Sequence, residues 1–423
     1  MKNKPIARRQ LLLQSAAGAT WITASNKTSE VDSSLSSFDS SKIIMTDVLI
    51  IGGGTAGAIA SIQSARAGIK TVLIERTGQL GGTATVGGVA FPGLFHAWGR
   101  QVISGIGWEL VRETVEMDNG TLPDFTIPPS RHWNHQVHIN PFLYSALAEE
   151  KCLYAGVTLR YYEFPLSIEK TQEGWLLECV GPGTRIKIGC KQLIDCTGGA
   201  DVVGMLGLPR LREDETQPGS FLFKFGESYQ PGREQLQSVY VHGADSSTSE
   251  IRTKANLSGR QEILKQLRRK IAQGDKNARL IQLQPEAAIR ESYRILGEII
   301  ISHDDYIHGY MYEDAVSYAF YPIDLHTKDG VIPKPLEKDI VPTIPLRALV
   351  PKNSRNILVA GRCVSSDRLA NSGLRVQASC MGMGQAAGAT AALAAQRNTT
   401  PLEVPLEEIR KLLHKHGAIV PRT

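Results

Sequence analysis

Three glycines and one carboxylate carry the first chemical signal. Gly52, Gly54 and Gly57 lie in Gly52-Gly53-Gly54-Thr55-Ala56-Gly57, directly after the apolar run Asp47–Ile51 and directly before AIASIQSARAG at 58–68. A buried strand, a glycine turn and a helix in that order build a phosphate cradle. The first glycine permits the tight turn, the second lets backbone approach a pyrophosphate, and the third lets helix and strand pack closely. The helix start, at Thr55 and Ala56, then offers free N–H groups and partial positive charge to an anion. Glu75 ends a second apolar strand, Lys70–Ile74, and stands 18 residues after Gly57. A carboxylate there accepts hydrogen bonds from ribose hydroxyls and repels a 2′-phosphate, which disfavours NADP. The motif does not choose between the remaining dinucleotides.

Leu80-Gly81-Gly82-Thr83-Ala84-Thr85-Val86-Gly87-Gly88 adds a second glycine-rich loop just beyond Glu75 and Arg76. The stretch VLIERTGQLGGTATVGG resembles a segment of FAD-dependent oxidoreductases of the glutathione-reductase-like group. Three further segments resemble the same family. Leu193–Gly198 looks like its apolar strand ending in A-T-G, with Cys196 in place of Ala; Asn356–Ala395 looks like its C-terminal flavin segment; Pro285–Glu298 looks like a R-E-S-R-R-I-x-G-E segment, with Tyr293 in place of an Arg. The resemblance implies FAD as cofactor. It places Gly52, Gly54, Thr55, Ala56, Gly57, Glu75, Arg76, Gly81, Gly82, Thr83, Thr197, Gly198, Gly361, Arg362, Gly384 and Gln385 at it. It also implies that a helix beginning near Arg375 points its N-terminal end at the flavin, where it can stabilise charge on the reduced ring.

The cofactor would carry the redox step, while the protein positions the substrate and removes a proton. Oxidation of a C–OH or C–NH group sends a hydride to the flavin and a proton to a base, and histidine is the usual candidate. His96 follows the second glycine loop and is the first choice. His132, His135 and His138 cluster with Trp133, but no Cys or spaced carboxylate accompanies them, so no metal site is expected. Arg290 and Arg294 stand four apart and would share one face of a helix over Glu286–Ile301, able to orient substrate or flavin or to pair with Glu291 and Glu298. Tyr318, Tyr321 and His326 form an aromatic stretch that fits either a pocket lining or core.

The elements that must position these groups follow from the pattern. The fold class is α/β: a Rossmann-type FAD-binding domain, with a parallel sheet and an antiparallel meander, and an inserted α+β substrate domain. The FAD domain is assigned to residues 43–205 and 351–400, the substrate domain to 206–350, and a C-terminal helix and tail to 401–423. Within these spans, helices are expected over Ser104–Glu116, Pro141–Tyr154 and Gln261–Gln273, and strands over Val157–Tyr162 and Ser220–Phe225. Leu166–Glu169, Trp175–Val180 and Thr184–Ile188 make the meander.

The chain has 423 residues, 42% hydrophobic and 21% charged, with six cysteines and no C-x-x-C. That excludes wholesale disorder, a disulfide scaffold and a dithiol redox centre. With no second G-x-G-x-x-G, a separate NAD(P)H domain is not encoded. Electrons then come directly from a small-molecule substrate and leave to an unidentified acceptor. Lys2, Lys4, Arg8 and Arg9 supply four of the five net positive charges, so no nucleic-acid surface is expected. Residues 1–24 join a basic start to a short apolar run, and Ala7–Leu13 resembles a twin-arginine export signal, implying a periplasmic or other extracytoplasmic site. Residues 25–42 are Ser-rich and read as a disordered linker. The twenty uncharged residues 376–395 contain Gly384-x-x-x-Gly388. They are rich in Ala and Gly rather than Leu, which favours close packing over a membrane span. Two rivals stand beside the oxidoreductase: a catalytically inactive flavoprotein acting as a binding module, and an NAD-dependent enzyme.

Overall fold

In a computed structural model, residues 43–422 are described except 128, 130, 227–235, 277, 329 and 332. The expected export signal and linker lie outside the described residues. Longer elements are labelled in chain order: β1 (Ile43–Ile51), α1 (Thr55–Arg66), β2 (Thr71–Glu75), α2 (Ile106–Met117), α3 (Pro141–Ala155), β3 (Thr158–Tyr161), β4 (Phe164–Lys170), β5 (Trp175–Gly181), β6 (Thr184–Asp195), β7 (Gly219–Phe225), β8 (Gln237–Val241), α4 (Ser249–Ala272), β9 (Leu280–Leu283), β10 (Ile357–Val359), α5 (Gln377–Arg397) and α6 (Leu406–Lys415).

The main sheet has seven strands, running β3-β2-β1-β6-β5-β4 with β10 also paired to β6. β3, β2, β1, β6 and β10 are parallel. The apolar runs Val48–Ile51 and Val72–Ile74 are buried on both faces, the pattern that a helix-covered parallel sheet requires. β6 is one strand of 12 residues where the sequence reading had two short ones. Its first half pairs antiparallel with β5 and its last residues pair parallel with β10, so it carries the meander into the parallel sheet.

α1 is buried at eleven consecutive positions, Thr55–Ala65, because sheet covers one side and α5 the other. Small residues make this approach fit. A Cβ at Gly57 would lie 1.9 Å from the Gly52 carbonyl oxygen. Cβ atoms at Gly384 and Gly388 would lie 2.2 and 2.4 Å from the carbonyl oxygens of Ala56 and Ala60. The G-x-x-x-G of α5 is thus a helix-packing surface within the domain. No helix among the described residues is long and apolar enough to cross a membrane.

α3 starts as read from Asn140-Pro141. The Asn140 side chain accepts from the N–H of Phe142 and Leu143, and Gly156 ends the helix at φ +88°. β7, β8 and β9 form an antiparallel sheet that packs with α4 around Phe221, Phe223, Val239, Val241, Ala255 and Ile263. α4 begins twelve residues earlier than the expected Gln261, where the Thr248 side chain caps the Ile251 N–H.

The helix expected over Glu286–Ile301 does not form. Residues 288–301 run mostly extended and spend their backbone hydrogen bonds on distant partners. Ala288 and Ser220 exchange two bonds at 2.7 and 2.9 Å, Ile295 N–H donates to Cys363 O, and Glu298 N–H donates to Val350 O. Arg294 and Ile295 pair with Arg210 and Leu211 in a two-residue ladder. These tertiary bonds outweigh the weak helix propensity of PEAAIRESYRILGE, which amounts to a few tenths of a kcal/mol per residue.

A Gly388→Val substitution tests the helix contact. Forcing α5 from α1 costs ~1–3 kcal/mol in overpacking alone. We expect a lower Tm together with reduced cofactor retention; an unchanged Tm would show that the backbones do not meet.

Candidate functional site

The turn after β1 is built as its glycines require. Gly52 sits at φ +99°, and a Cβ on it would meet the Cys196 carbonyl oxygen at 2.6 Å. Gly54 differs: its φ is −65°, and a Cβ there would meet nothing within 4 Å. Neither backbone conformation nor protein packing fills the space beside Gly54, so the approach to the start of α1 is open there. α1 opens with no capping side chain and no acid in its first turn, although Thr55 and Ala56 are buried. An uncapped helix start offers N–H groups and partial positive charge to an anion.

The second loop closes the cradle. Gly54 bridges Gly81, Gly81 N–H donates to Gly53 O at 2.9 Å, and the Thr55 hydroxyl donates to Gly81 O at 3.3 Å. Gly81 and Gly82 take φ +103° and +50°, and a Cβ on Gly82 would lie 3.0 Å from the Gly54 Cα. Thr83 continues the turn and its carbonyl accepts from Val89 N–H at 3.0 Å. Glu75 is buried at the end of β2. One oxygen accepts from Gly53 N–H at 2.7 Å, and the other accepts from the N–H and hydroxyl of Thr77. The acid therefore shapes the turn, holding Gly53 from one oxygen and Thr77 from the other. Arg76 is half-exposed and pairs loosely with Glu286 at 3.5 Å.

The carboxyl end of β6 supplies the third wall. Asp195 is fully buried and accepts from the N–H and hydroxyl of Thr197 and from Val203 N–H at 2.7–3.1 Å. Burial raises its pKa, while those bonds act in the opposite direction. Arg362, after Gly361 at φ +103°, donates from Nε to Gly198 O at 2.8 Å and from Nη1 to Ile289 O. It ties the Thr197–Gly198 turn to the start of the extended 288–301 segment, next to Arg290. Gln377, the first residue of α5, donates to Val89 O at 2.7 Å and joins that helix start to the second loop.

Two expected cofactor residues lie elsewhere. Gly384 faces the Ala56 backbone, and Gln385 bonds Ile106 N–H, Gln63 and His416 O, holding α1, α2 and the C-terminal segment together. Arg294 is also structural in position. It is 3% exposed, with Nε on Ser366 O, Nη1 on Glu291 and Nη2 on Glu213. Arg290 has different partners: it donates to Pro218 O and makes none of the contacts that enclose Arg294. Tyr293, standing where the family has Arg, lies under the Arg210 guanidinium at 3.8 Å.

His96 lies on a two-residue hairpin strand. Its ring stacks on Phe125 at 3.7 Å with the edge of Trp108 at 5.5 Å. Burial, and then the charge of His135, lower its pKa to about 4. His132–His135 forms a 3-10 turn in which the His135 ring bonds Ile127 O. Among the described residues no group of three His, Cys, Asp or Glu could hold a metal. All six cysteines are buried and unpaired by disulfides.

A second polar cluster stands at the start of α5, only partly foreseen in the sequence. Asp324 Oδ2 accepts from His326 Nε2 at 3.1 Å and from Arg375 Nη2 at 3.2 Å. His326 Nδ1 meets the Tyr240 hydroxyl at 3.0 Å, and the Tyr240 ring lies 5.2 Å from the Arg290 guanidinium. Gln217 accepts from His326 N–H and from Arg375. Asp324 and His326 are two apart on extended chain and share a face. That spacing is visible in the sequence, but Tyr240 and Gln217 come from segments about a hundred residues away.

The fold and cradle define a dinucleotide-binding protein of Rossmann type. The sequence pattern of the family described as FAD dependent oxidoreductase matches residues 47–227 and 210–413, and the chain belongs to that family. The residues fit FAD: an uncapped anion-binding helix start, an acid at ribose distance in sequence and a second glycine loop. FAD rather than NAD is therefore the cofactor.

A dihydrolipoyl dehydrogenase of Trypanosoma brucei brucei is 44% identical over 52 residues, 12% of this chain and 11% of that protein. The FAD-dependent oxidoreductase dbaF of Emericella nidulans is 51% identical over 49 residues, 12% of this chain and 10% of that one. The chain thus matches about a tenth of the length of these relatives. Among solved structures, the OxyS anhydrotetracycline hydroxylase of Streptomyces rimosus aligns with a TM-score of 0.46 at 14% identity, covering 88% of this chain and 66% of that one.

Gly54→Val tests the cradle. Its side chain meets open space, so the fold should hold while the pyrophosphate path is blocked. We expect an unchanged circular dichroism spectrum and loss of the flavin that acid precipitation releases from the parent protein. A variant with full flavin content would remove Gly54 from the site.

Proposed function

We propose that the chain is an FAD-dependent oxidoreductase of the glutathione-reductase-like group that oxidises a small organic substrate, an alcohol, sugar derivative or amine, by hydride transfer to the flavin. Bound FAD supplies the two-electron acceptor. The chain's own task is to orient the substrate and take up the proton that accompanies hydride loss.

The observation that carries this reading is the bridge from Arg375 through Asp324 to His326. It fixes a histidine next to the start of the helix implied to face the flavin. Asp324 accepts from Nε2–H, which leaves Nδ1 as the acceptor facing the Tyr240 hydroxyl. Burial lowers the His326 pKa below 6.5, Arg290 and Arg375 lower it further, and Asp324 raises it. The neutral ring is therefore the resting form at pH 7. Tyr240, 42% exposed, takes the substrate proton at its oxygen as its own proton passes to His326 Nδ1. His326 and Tyr240 thus replace His96 as first choice, because His96 stacks against aromatic side chains while His326 is oriented by a carboxylate.

The inactive-flavoprotein alternative is separated from this reading by anaerobic bleaching of the flavin with candidate alcohols and amines. No bleaching with any of them would favour a binding module. Residues 1–24 are proposed to direct export, supported by Arg8-Arg9 before the apolar run. Replacing both arginines by lysine should retain a fused reporter in the cytoplasm.

The pH dependence follows with a definite sign. The base must be neutral, so kcat/KM rises with pH and levels off above the His326 pKa. Asp324→Asn removes the group that raises that pKa, so the acidic limb moves to lower pH. His326→Asn should lower kcat by about 10²–10⁴-fold with FAD retained. An acidic limb that stays in place in Asp324→Asn would exclude His326 as the titrating group.

A further inference from the structure

The cluster at the start of α5 carries more positive charge than it can use. Arg290 donates from Nη1 to Pro218 O at 2.7 Å and lies over the Tyr240 ring. Among the described residues no carboxylate lies within ion-pair distance of it. Arg375 shares Asp324 with His326, and its Nε is buried without a partner. Gln217 is 1% exposed. Its Oε1 is fixed as acceptor by His326 N–H and Arg375 Nη2, so the amide cannot be flipped, and its Nε2 is buried without a partner. A buried donor left unsatisfied costs about 1–3 kcal/mol, so two such donors on residues that are themselves hydrogen-bonded, beside an arginine without a carboxylate, call for a ligand.

The charge count names the missing group. Two guanidiniums, Arg290 and Arg375, face one carboxylate, Asp324, while His326 is neutral and Tyr240 and Tyr321 are uncharged. One negative charge is absent. Arg290 shows the strain: burial and the neighbouring Arg375 both lower its pKa. A monoanion with two coplanar oxygens matches one net charge and the planar forks of two arginines, whereas a phosphate dianion would overcompensate.

We propose that Arg290, Arg375 and the free amide of Gln217 bind a carboxylate carried by the substrate, making it a hydroxy or amino acid, or an acidic sugar, rather than a neutral alcohol or simple amine. This rests on the oxidoreductase reading above and narrows its substrate class. The carboxylate anchors the molecule beside the Tyr240 hydroxyl, so its oxidisable carbon is presented near the proton-accepting chain.

Acetate is the probe, with the full-chain holoprotein and chloride at equal ionic strength as reference. The readouts are Tm and the visible flavin bands. Acetate should raise Tm saturably and perturb the flavin bands; Arg290→Gln and Arg375→Gln should weaken acetate binding at least tenfold with FAD content unchanged. Gln217→Glu offers a second arm that preserves volume. It supplies the missing negative charge from within, so Tm without acetate should rise and the acetate response should vanish. The proposal fails if acetate acts no differently from chloride, if inorganic phosphate binds as tightly as acetate, or if Arg290→Gln is purified with less FAD, which would assign the cation to the cofactor. A colourless parent protein would instead overturn the FAD reading, and the Tm arm would still report the anion site.

Discussion

Helix α1 meets backbone on both sides through glycines, and the cofactor site depends on that close approach. On the sheet side, Gly57 lets the helix rest against the Gly52 carbonyl. On the other side, Gly384 and Gly388 bring α5 onto the carbonyls of Ala56 and Ala60. A side chain at any of the three would move the α1 N-terminus by ångströms, and that terminus is what meets a pyrophosphate. The same clamp places the start of α5. The two helix starts, one for phosphate and one implied for the flavin ring, are thus set by a single packing contact.

Around that clamp the chain ties loops together with buried polar groups instead of regular structure. Glu75 holds the first glycine turn, Asp195 the turn after β6, Arg362 joins Gly198 to Ile289, and Gln377 joins α5 to Val89. Each bridges two segments by a hydrogen bond, which holds the walls of the cradle together without many strands. The cluster of Arg290, Arg375 and Gln217 is different in kind. It has donors left over, at Gln217 Nε2 and Arg375 Nε, and that surplus is the basis of the proposed anion site.

Sequence reasoning foresaw the strand, glycine turn and helix at 47–66 and missed the extended course of 288–301, for one physical reason. Gly52, Gly54, Gly57 and Glu75 act through local geometry, a turn and a helix start whose requirements are written within a few residues. Arg290 and Arg294 were placed on a helix because their segment has helix-like composition. The structure spends that segment's hydrogen bonds on Ser220, Cys363 and Val350, which no local pattern reveals. Gly384 and Gln385 had the right residue types for a cofactor contact but meet α1 and the C-terminal segment instead.

The sequence by itself therefore determined the α/β class, the nucleotide cradle, the helix caps at Asn140 and Gly156 and the small-residue face of α5. All of these follow from strand burial, glycine conformation and spacing along the chain. Only the tertiary structure decided that Tyr240, His326 and Asp324 form one hydrogen-bonded chain, that Arg290 and Arg375 share too few carboxylates, and that His96 stacks among aromatic rings. Those groups come from segments far apart in sequence. Their meeting is set by the long-range pairing of the β7–β9 sheet and the extended 288–301 segment, a free energy summed over many residues rather than carried by any one motif.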